Sequence, residues 1–241
     1  METTRRGPAA NVRTAVVWEV LSAVLAEPGQ VVVDAGGGTG GFAVPLAEAG
    51  HKVTVVDPSP DSLAALQRRA AERSLDVSAV QGEVGDLPSI VSDADLVLCH
   101  SVLEVVDDPG AALAAVASVL KPGGWLSLLV ANRDAAVLAR ALAGRPDEAA
   151  HALTDPTGRW GQADASARRW TPAAITALVE DAGLSVQQVH GVRCVSDLVP
   201  SAVLDTEPGA AAALLALERR LSDQLPFRDL ATQVHVLARK G

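Results

Sequence analysis

The chain has 241 residues, a formal net charge of −9 and an apolar fraction of 49%. This composition is typical of a globular protein with a sizeable core rather than a disordered chain, and it argues against a broad nucleic-acid-binding surface, which needs clustered Lys and Arg. Four Trp, two Phe and no Tyr weaken any function that requires several rings to stack on bases. The two cysteines are far apart and form no metal-ligand motif, so we expect no metal site and a reducing, cytoplasmic environment.

The first predicted element is an amphipathic helix that ends near Pro28, with apolar residues at helical spacing. Glu19 within it argues against a signal peptide, and no apolar run is long enough to span a membrane. Strands and helices then alternate. Strands are predicted at QVVVDA, HKVTVVD, DVSAVQG, ADLVLCH and LKPGGWLSLLVAN, and helices at GFAVPLAEAG, 61–73 and 109–120. This alternation predicts a parallel sheet with helices on both faces.

The second half of the chain is less regular. Residues 133–169 predict a helix followed by a polar loop. Further along, the pattern predicts a helix at 171–183, a strand at 185–192, a helical insertion at 208–225 and a last strand at TQVHVLARK. We interpret residues 1–241 as a single domain, in which an N-terminal helical segment (1–29) precedes a cofactor-binding half (30–132).

A glycine-rich turn joins the first of these strands to a helix in VVVDAGGGTGG. Gly36, Gly38 and Gly41 fit the G-x-G-x-x-G spacing of a dinucleotide-binding turn. The segment from Asp34 to Gly40 also fits D-x-G-x-G-x-G, the turn that holds S-adenosylmethionine. The carboxylate of Asp34 would repel a pyrophosphate, whereas it would attract an ammonium or a sulfonium. Asp34 therefore favours S-adenosylmethionine over a dinucleotide and over a turn without a ligand.

A second acid, Asp57, ends the second predicted strand. A carboxylate at this strand end can accept hydrogen bonds from both hydroxyls of a ribose. Either cofactor carries a ribose, so Asp57 supports an adenosine-containing ligand without distinguishing between the two.

The chain resembles the class I S-adenosylmethionine-dependent methyltransferases in four segments that occur in the expected order. These segments are DAGGGTG, VVD, CHSVLEVVDDP and LKPGGWLSLL. Four further segments are similar to the tRNA 5-carboxymethoxyuridine methyltransferases: VRTAVVWEVL, HSVLEVV, GVRCVSDL and LLALERRL…VHVLARK. That family esterifies a carboxylate of a modified wobble uridine. The resemblance implies an α/β fold with a doubly wound, seven-stranded, mostly parallel sheet and an antiparallel last strand. It also implies helical insertions on the acceptor side, at 133–170 and 197–230.

The resemblance implies a set of cofactor-binding residues as well. Arg13 corresponds to an arginine that pairs with the carboxylate of the cofactor, the turn at Glu83 would cover the adenine, and His100 would lie near the transferring methyl group. Arg13 has a plainer interpretation as a solvated helix residue, and His100 as a packed turn residue. The complete set is Arg13, Asp34, Gly36, Gly37, Gly38, Asp57, Glu83, Val84 and His100.

On the acceptor side the resemblance implies His100, Asn132 and Arg193 as catalytic residues, with His235 beside them. An arginine suits an anionic acceptor. The alternatives are a surface position for Arg193 and a packed strand position for His235, and we expect Glu104 to be an exposed acid at a helix start. A carboxylate acceptor is already ionised at neutral pH and needs no general base.

The sequence leaves two classes of methyl acceptor as alternatives. The resemblance implies tRNA, yet the segment ARRW (167–170) carries less positive charge than its counterpart in that family, and no ring stands near Leu198. A small metabolite acid or hydroxyl would suit the acidic charge and the scarcity of rings. The other classes considered are a cofactor-binding protein without catalysis and a dinucleotide oxidoreductase.

Overall fold

The computed structural model describes residues 11–241, apart from the side chains of Ser201, Val203 and Asp205. The strands are β1 (Val31–Ala35), β2 (Lys52–Asp57), β3 (Val77–Gln81), β4 (Ala94–His100), β5 (Leu120–Ala131), β6 (Leu184–Val192) and β7 (Gln233–Lys240). They form one mixed sheet in the order β3-β2-β1-β4-β5-β7-β6, with the last strands antiparallel. The predicted seven-stranded α/β fold is thereby confirmed.

The helices begin with α1 (Ala15–Val24), which lies in the predicted N-terminal segment; the first ten residues of that segment are outside the described part. The others are α2 (Ala43–Glu48), α3 (Pro60–Ala71), α4 (Leu87–Ile90), α5 (Pro109–Val119), α6 (Arg133–Leu142), α7 (Pro146–Thr154), α8 (Pro172–Asp181), α9 (Ser201–Thr206) and α10 (Ala210–Leu221). Ser59 caps α3, because its hydroxyl accepts a hydrogen bond from the N–H of Ser62 at 3.2 Å.

Helix α7 was not predicted, because its sequence was assigned to a polar loop. It packs against α6, and the residues that it buries are Ala149 and Ala152. Two small side chains give too weak an apolar stripe for helical periodicity to be visible in the sequence. Pro146 at the first turn, followed by two acids, is the local signal that marks this helix start.

The centre of the sheet consists of parallel strands with nearly continuous apolar sequences. Val32 of β1 pairs with Val53 of β2 on one side and Leu96 of β4 on the other, and all three are buried. Such runs are typical of strands covered on both faces. The carboxyl ends of β1, β2 and β4 lie at one edge of this parallel part, where open α/β sheets bind their ligands.

The chain forms two compact units. The glycine-turn unit comprises Val24–Val130, Ala174–Gln188 and Val236–Gly241, and the insertion unit comprises residues 11–23, Ala131–Ala173 and Val189–His235. Both predicted insertions fall within the insertion unit. The interpretation of the whole chain as a single domain stays a prediction. No helix of residues 11–241 has both the length and the apolar composition needed to cross a membrane.

Gly191 at the end of β6 allows a close approach of two backbone segments in the insertion unit. Its N–H donates to the carbonyl of Ser222 at 2.6 Å. A Cβ at this position would lie 2.8 Å from the carbonyl oxygen and Cα of Arg228 and 2.8 Å from the Cβ of Ala231. Two of these three atoms belong to the backbone, so the residue at 191 must lack a side chain.

We expect Gly191→Ala to lower the free energy of unfolding by about 1–3 kcal/mol, because the added methyl group must displace backbone atoms. Gly41→Ala is the matched control, since a Cβ at Gly41 would meet no heavy atom within 4 Å. Urea unfolding followed by circular dichroism measures both variants. Equal unfolding midpoints and equal slopes for Gly191→Ala and Gly41→Ala would show that the backbone segments at Gly191 leave room for a side chain.

Candidate functional site

The glycine turn after β1 is held close to its neighbours. The N–H of Gly36 donates to the carbonyl of Val56 at 2.7 Å, and Gly36 has a φ of 70°. A Cβ at Gly36 would collide with the side chain of Val102. The left-handed backbone and this contact both require glycine at position 36. Gly37 is equally close to Asp34, whose carboxylate would lie 2.5 Å from a Cβ there.

Asp57 at the end of β2 is bonded to this turn. Its Oδ2 accepts a hydrogen bond from the N–H of Gly38 and its Oδ1 accepts one from the N–H of Ser59, both at 2.9 Å. Each carboxylate oxygen has a second lone pair. Asp57 could therefore accept hydrogen bonds from two ribose hydroxyls while it still shapes the turn.

A cavity of about 710 Å³ lies beside Gly36 and Asp57 in the glycine-turn unit. The turn at Glu83 and Val84 lines it as well, and the N–H of Glu83 donates to Asp86 Oδ2 at 2.9 Å, which shapes that turn. This volume lies within the range of small-molecule and cofactor sites. The structure thus brings four of the predicted cofactor residues to one cavity.

Asp34 is buried under the glycine turn. It accepts a hydrogen bond from the N–H of Ala43, but its Oδ2 has no hydrogen-bond partner within residues 11–241. Burial raises the pKa of Asp34 to about 7; the Ala43 N–H opposes this rise and the charge of Asp57 adds to it. A neighbouring cation would stabilise the ionised carboxylate, whereas a pyrophosphate would destabilise it. This buried acid therefore fits the cationic methionine part of S-adenosylmethionine.

His100, at the end of β4, is held as a neutral imidazole. Its Nε2 lies 2.9 Å from the hydroxyl of Ser127, and its ring makes an edge-on contact with Phe42 at 4.7 Å between centroids. Burial lowers the pKa of His100 to about 3. At neutral pH the ring therefore carries no charge, and it is a weak base.

The expectation of an exposed Glu104 at a helix start is wrong. Glu104 is 7% exposed and lies in the turn after β4, five residues before α5 begins at Pro109. Burial raises the pKa of Cys99 to about 12, and the negative charges of Glu104 and Asp34 add to this rise. The turn folds the acid inward, which the apolar pattern of the sequence does not reveal.

A second cavity, of about 570 Å³, lies within the insertion unit. Asn132 and Arg193, the two residues that the resemblance assigns to the acceptor side alone, both line it. Three arginines line this cavity together with a single acid, and two rings face it. These residues are Arg140, Arg169, Arg193, Asp197, Trp160 and Phe227.

Each of the three arginines is held in place. Arg193 forms a two-pronged ion pair with Asp197, which also accepts a hydrogen bond from the Thr232 hydroxyl at 2.9 Å. The guanidinium of Arg169 pairs with the buried Asp164 through both of its terminal nitrogens. Arg140 lies over the ring of Trp160, 4.1 Å from its centroid.

Asn132 has a structural task at the start of α6. Its Nδ2 donates to the carbonyls of Asp229 and Ala231, both at 2.8 Å, and its Oδ1 accepts a hydrogen bond from the N–H of Asp134 at 3.0 Å. Both amide hydrogens are thus committed to the backbone. The predicted catalytic role of Asn132 stays a prediction, and the geometry shows that it joins α6 to residues 229–231.

Comparisons with known proteins agree with this geometry. Residues 33–128 match the family described as "Methyltransferase domain". The tRNA 5-carboxymethoxyuridine methyltransferase of Escherichia coli K12 is 32% identical over 95% of this chain and 88% of its own length. The chain belongs to the class I S-adenosylmethionine-dependent methyltransferases.

One further relative and one solved structure are also similar to this chain. The ubiquinone biosynthesis O-methyltransferase of Xanthomonas axonopodis is 34% identical over 72% of this methyltransferase and 70% of its own chain. The crystal structure of magnesium protoporphyrin IX methyltransferase from Synechocystis, solved with SAH bound, matches its fold with a TM-score of 0.61 at 19% identity. That match covers 97% of this chain and 83% of the Synechocystis chain.

Two predicted residues of this methyltransferase lie in the insertion unit without a demonstrated role. Arg13 is exposed in the turn before α1, and its pairing with the cofactor carboxylate stays a prediction. His235 is fully buried in β7 and stacks on His190 at 5.8 Å between centroids, which agrees with the packed interpretation. Within the described residues, no group of three His, Cys, Asp or Glu side chains could hold a metal ion.

The sequence interpretation missed Arg140, Trp160 and Phe227 as cavity residues. A signal was present for the two rings, because two of the four Trp and one of the two Phe lie within the predicted insertions. No comparable signal marks Arg140, whose position against Trp160 depends on contacts between separate segments.

We expect Asp34→Asn to change how stability depends on pH. The folded protein holds the Asp34 proton up to about pH 7, whereas the unfolded chain releases it near pH 3.8. The free energy of unfolding of the wild type therefore falls as the pH rises from 3.8 to about 7. The loss relative to the variant is of the order of 4 kcal/mol, at about 1.4 kcal/mol for each pH unit. Urea unfolding of both ligand-free proteins from pH 4.5 to pH 8 measures this difference.

His100, whose pKa is lowered, contributes a pH dependence of stability in the opposite direction. Both the wild type and Asp34→Asn contain His100, so this contribution cancels in the difference between them. Asp76→Asn, at an exposed acid between α3 and β3, serves as the control and should show the same pH dependence as the wild type. A constant offset between wild type and Asp34→Asn across this range would contradict the raised pKa of Asp34.

Proposed function

We propose that this methyltransferase esterifies a carboxylate of a modified uridine at the wobble position of tRNA, in the cytoplasm. The observation that carries the proposal is the cavity of the insertion unit, where three guanidinium groups and two rings accompany one acid. Guanidinium groups suit a carboxylate, and rings suit the face of a base. The E. coli relative named as a tRNA 5-carboxymethoxyuridine methyltransferase supports the same acceptor.

Arg193 is the guanidinium that we assign to the acceptor carboxylate. Its planar fork already makes two hydrogen bonds to Asp197, and its side chain is about one-quarter exposed. Arg169 is committed to the nearly buried Asp164, and Arg140 pairs with Glu148 and lies over the ring of Trp160. Arg193 is the one of the three that the resemblance places on the acceptor side, and its pair with Asp197 engages only Nε and one terminal nitrogen, which leaves N–H groups for an anionic ligand.

Bound S-adenosylmethionine supplies a methyl group that is already activated on a sulfonium. We assign Asp57 to the ribose and Asp34 to the cationic part, so that the glycine-turn unit holds the donor in a fixed orientation. His100 is neutral at pH 7 and too weak a base to remove a proton from a hydroxyl acceptor. A carboxylate acceptor needs no such removal, since it is ionised at neutral pH.

A small-molecule O-methyltransferase is the second candidate. Apolar side chains that are at least 39% exposed border the same cavity, which suits an apolar acceptor. The Xanthomonas relatives named as ubiquinone biosynthesis O-methyltransferases support this alternative. The bordering residues are Leu138, Leu142, Leu198, Phe227 and Leu230.

Transfer of a labelled methyl group distinguishes the two candidates. Purified protein receives methyl-labelled S-adenosylmethionine with either tRNA that carries 5-carboxymethoxyuridine or a prenylated phenol. We expect label on the tRNA that mild alkali releases, because alkali hydrolyses a methyl ester. The same tRNA with unmodified uridine is the control and should take no label. Label on the phenol alone would establish the second candidate instead.

We expect Arg193→Ala to raise the KM for the modified tRNA about 10- to 100-fold, which corresponds to loss of a charged hydrogen-bonded contact. Binding of S-adenosylhomocysteine, measured by calorimetry, should be unchanged, because the assigned donor residues belong to the glycine-turn unit. Arg73→Ala, which removes a surface partner of Glu48, is the matched control. Equal KM values for the two variants would remove Arg193 from the acceptor site.

A further inference from the structure

Glu218 of α10 is a charged side chain with no exposed surface. Its carboxylate accepts hydrogen bonds from three consecutive backbone N–H groups: Oε2 from Cys194 at 2.8 Å, and Oε1 from Val195 at 2.8 Å and Ser196 at 2.6 Å. Consecutive amides that converge in this way form a concavity that binds anions. Here the chain fills the concavity with its own carboxylate.

The segment held by Glu218 is the one that presents Arg193 and Asp197 to the cavity of the insertion unit. Arg193 has a φ of 63°, a backbone conformation that residues with a Cβ rarely adopt. Its carbonyl accepts a hydrogen bond from the N–H of Thr232 at 3.2 Å, and Asp197 accepts one from the Thr232 hydroxyl. Strained conformations of this kind persist where the surroundings fix them from several sides.

The thiol of Cys194 also lies within the electrostatic influence of Glu218. Burial raises the pKa of its thiol to about 12, and the negative charge of Glu218 adds to this rise. The cysteine lines the cavity between Arg193 and Val195. The carboxylate of Glu218 therefore lies directly behind the wall from which the Arg193 guanidinium extends.

We propose that Glu218 is a positioning residue for the methyl acceptor, which acts by fixing segment 193–197 so that the Arg193 fork faces the cavity. The inference rests on the proposed function, because it takes Arg193 as the partner of the acceptor anion. A glutamine at 218 would keep one accepting oxygen and turn an N–H group toward backbone N–H groups. The segment would then lose at least one of its three hydrogen bonds.

We expect Glu218→Gln to raise the KM for tRNA that carries 5-carboxymethoxyuridine at least 10-fold. The Kd for S-adenosylhomocysteine should stay within twofold of the wild-type value, a split that general loss of structure would not produce. Glu19→Gln is the matched control, since Glu19 is an exposed partner of Arg219 in the same unit. It should leave both constants unchanged.

Hydrogen exchange of the wild-type amides tests the contact without a substitution. We expect the amides of Cys194, Val195 and Ser196 to exchange slowly in the wild type, and faster in Glu218→Gln. Rapid exchange of the three wild-type amides would overturn the inference even where the variant does not fold.

The outcomes separate this inference from the proposed function. Absence of transfer from the wild type to the modified tRNA contradicts the proposed function and, with it, the acceptor partner assumed here. Transfer by the wild type together with an unchanged KM in Glu218→Gln contradicts the role of Glu218 alone.

Discussion

The two hydrogen bonds that Asp57 accepts from Gly38 and Ser59 determine the shape of the cofactor side. One carboxylate at the end of β2 thereby joins the glycine turn after β1 to the residue that caps α3. A second link joins the glycine turn to α3, because the guanidinium of Arg69 donates a hydrogen bond to the carbonyl of Thr39 at 2.6 Å. The carboxylate oxygens of Asp57 retain second lone pairs, and Asp57 lines the cavity, so that the group which builds the turn is also available to a hydroxyl group in that cavity.

The insertion unit repeats this use of acids on its own loops. Asp164 accepts hydrogen bonds from the N–H groups of Trp160 and Ser166 and pairs with Arg169, while Glu218 accepts three from residues 194–196. A carboxylate can satisfy several backbone donors at once, which suits loops that no strand pairs. Part of the acidic excess of the sequence is thus structural and does not contribute to the charge of the surface.

The sequence was informative where structure depends on neighbouring residues. The alternation from β1 to β5, the Ser59 cap and the glycine turn all follow from local patterns, and the structure contains each of them. The burial of Glu104 could not be predicted in this way, because it depends on how the chain folds back on itself. The cavity of the insertion unit is a similar case: Arg140, Arg193 and Phe227 are separated by tens of residues and meet only in the folded chain.

A carboxyl group whose pKa lies near 7 can change its charge at neutral pH for little free energy. When no cation is beside it, Asp34 is only partly ionised at neutral pH, which lessens the uncompensated negative charge beneath the glycine turn. When a cation arrives, release of the Asp34 proton supplies the matching charge. Binding of a cation beside Asp34 would therefore be coupled to the acidity of the surrounding solution, since it would release the proton of this buried acid.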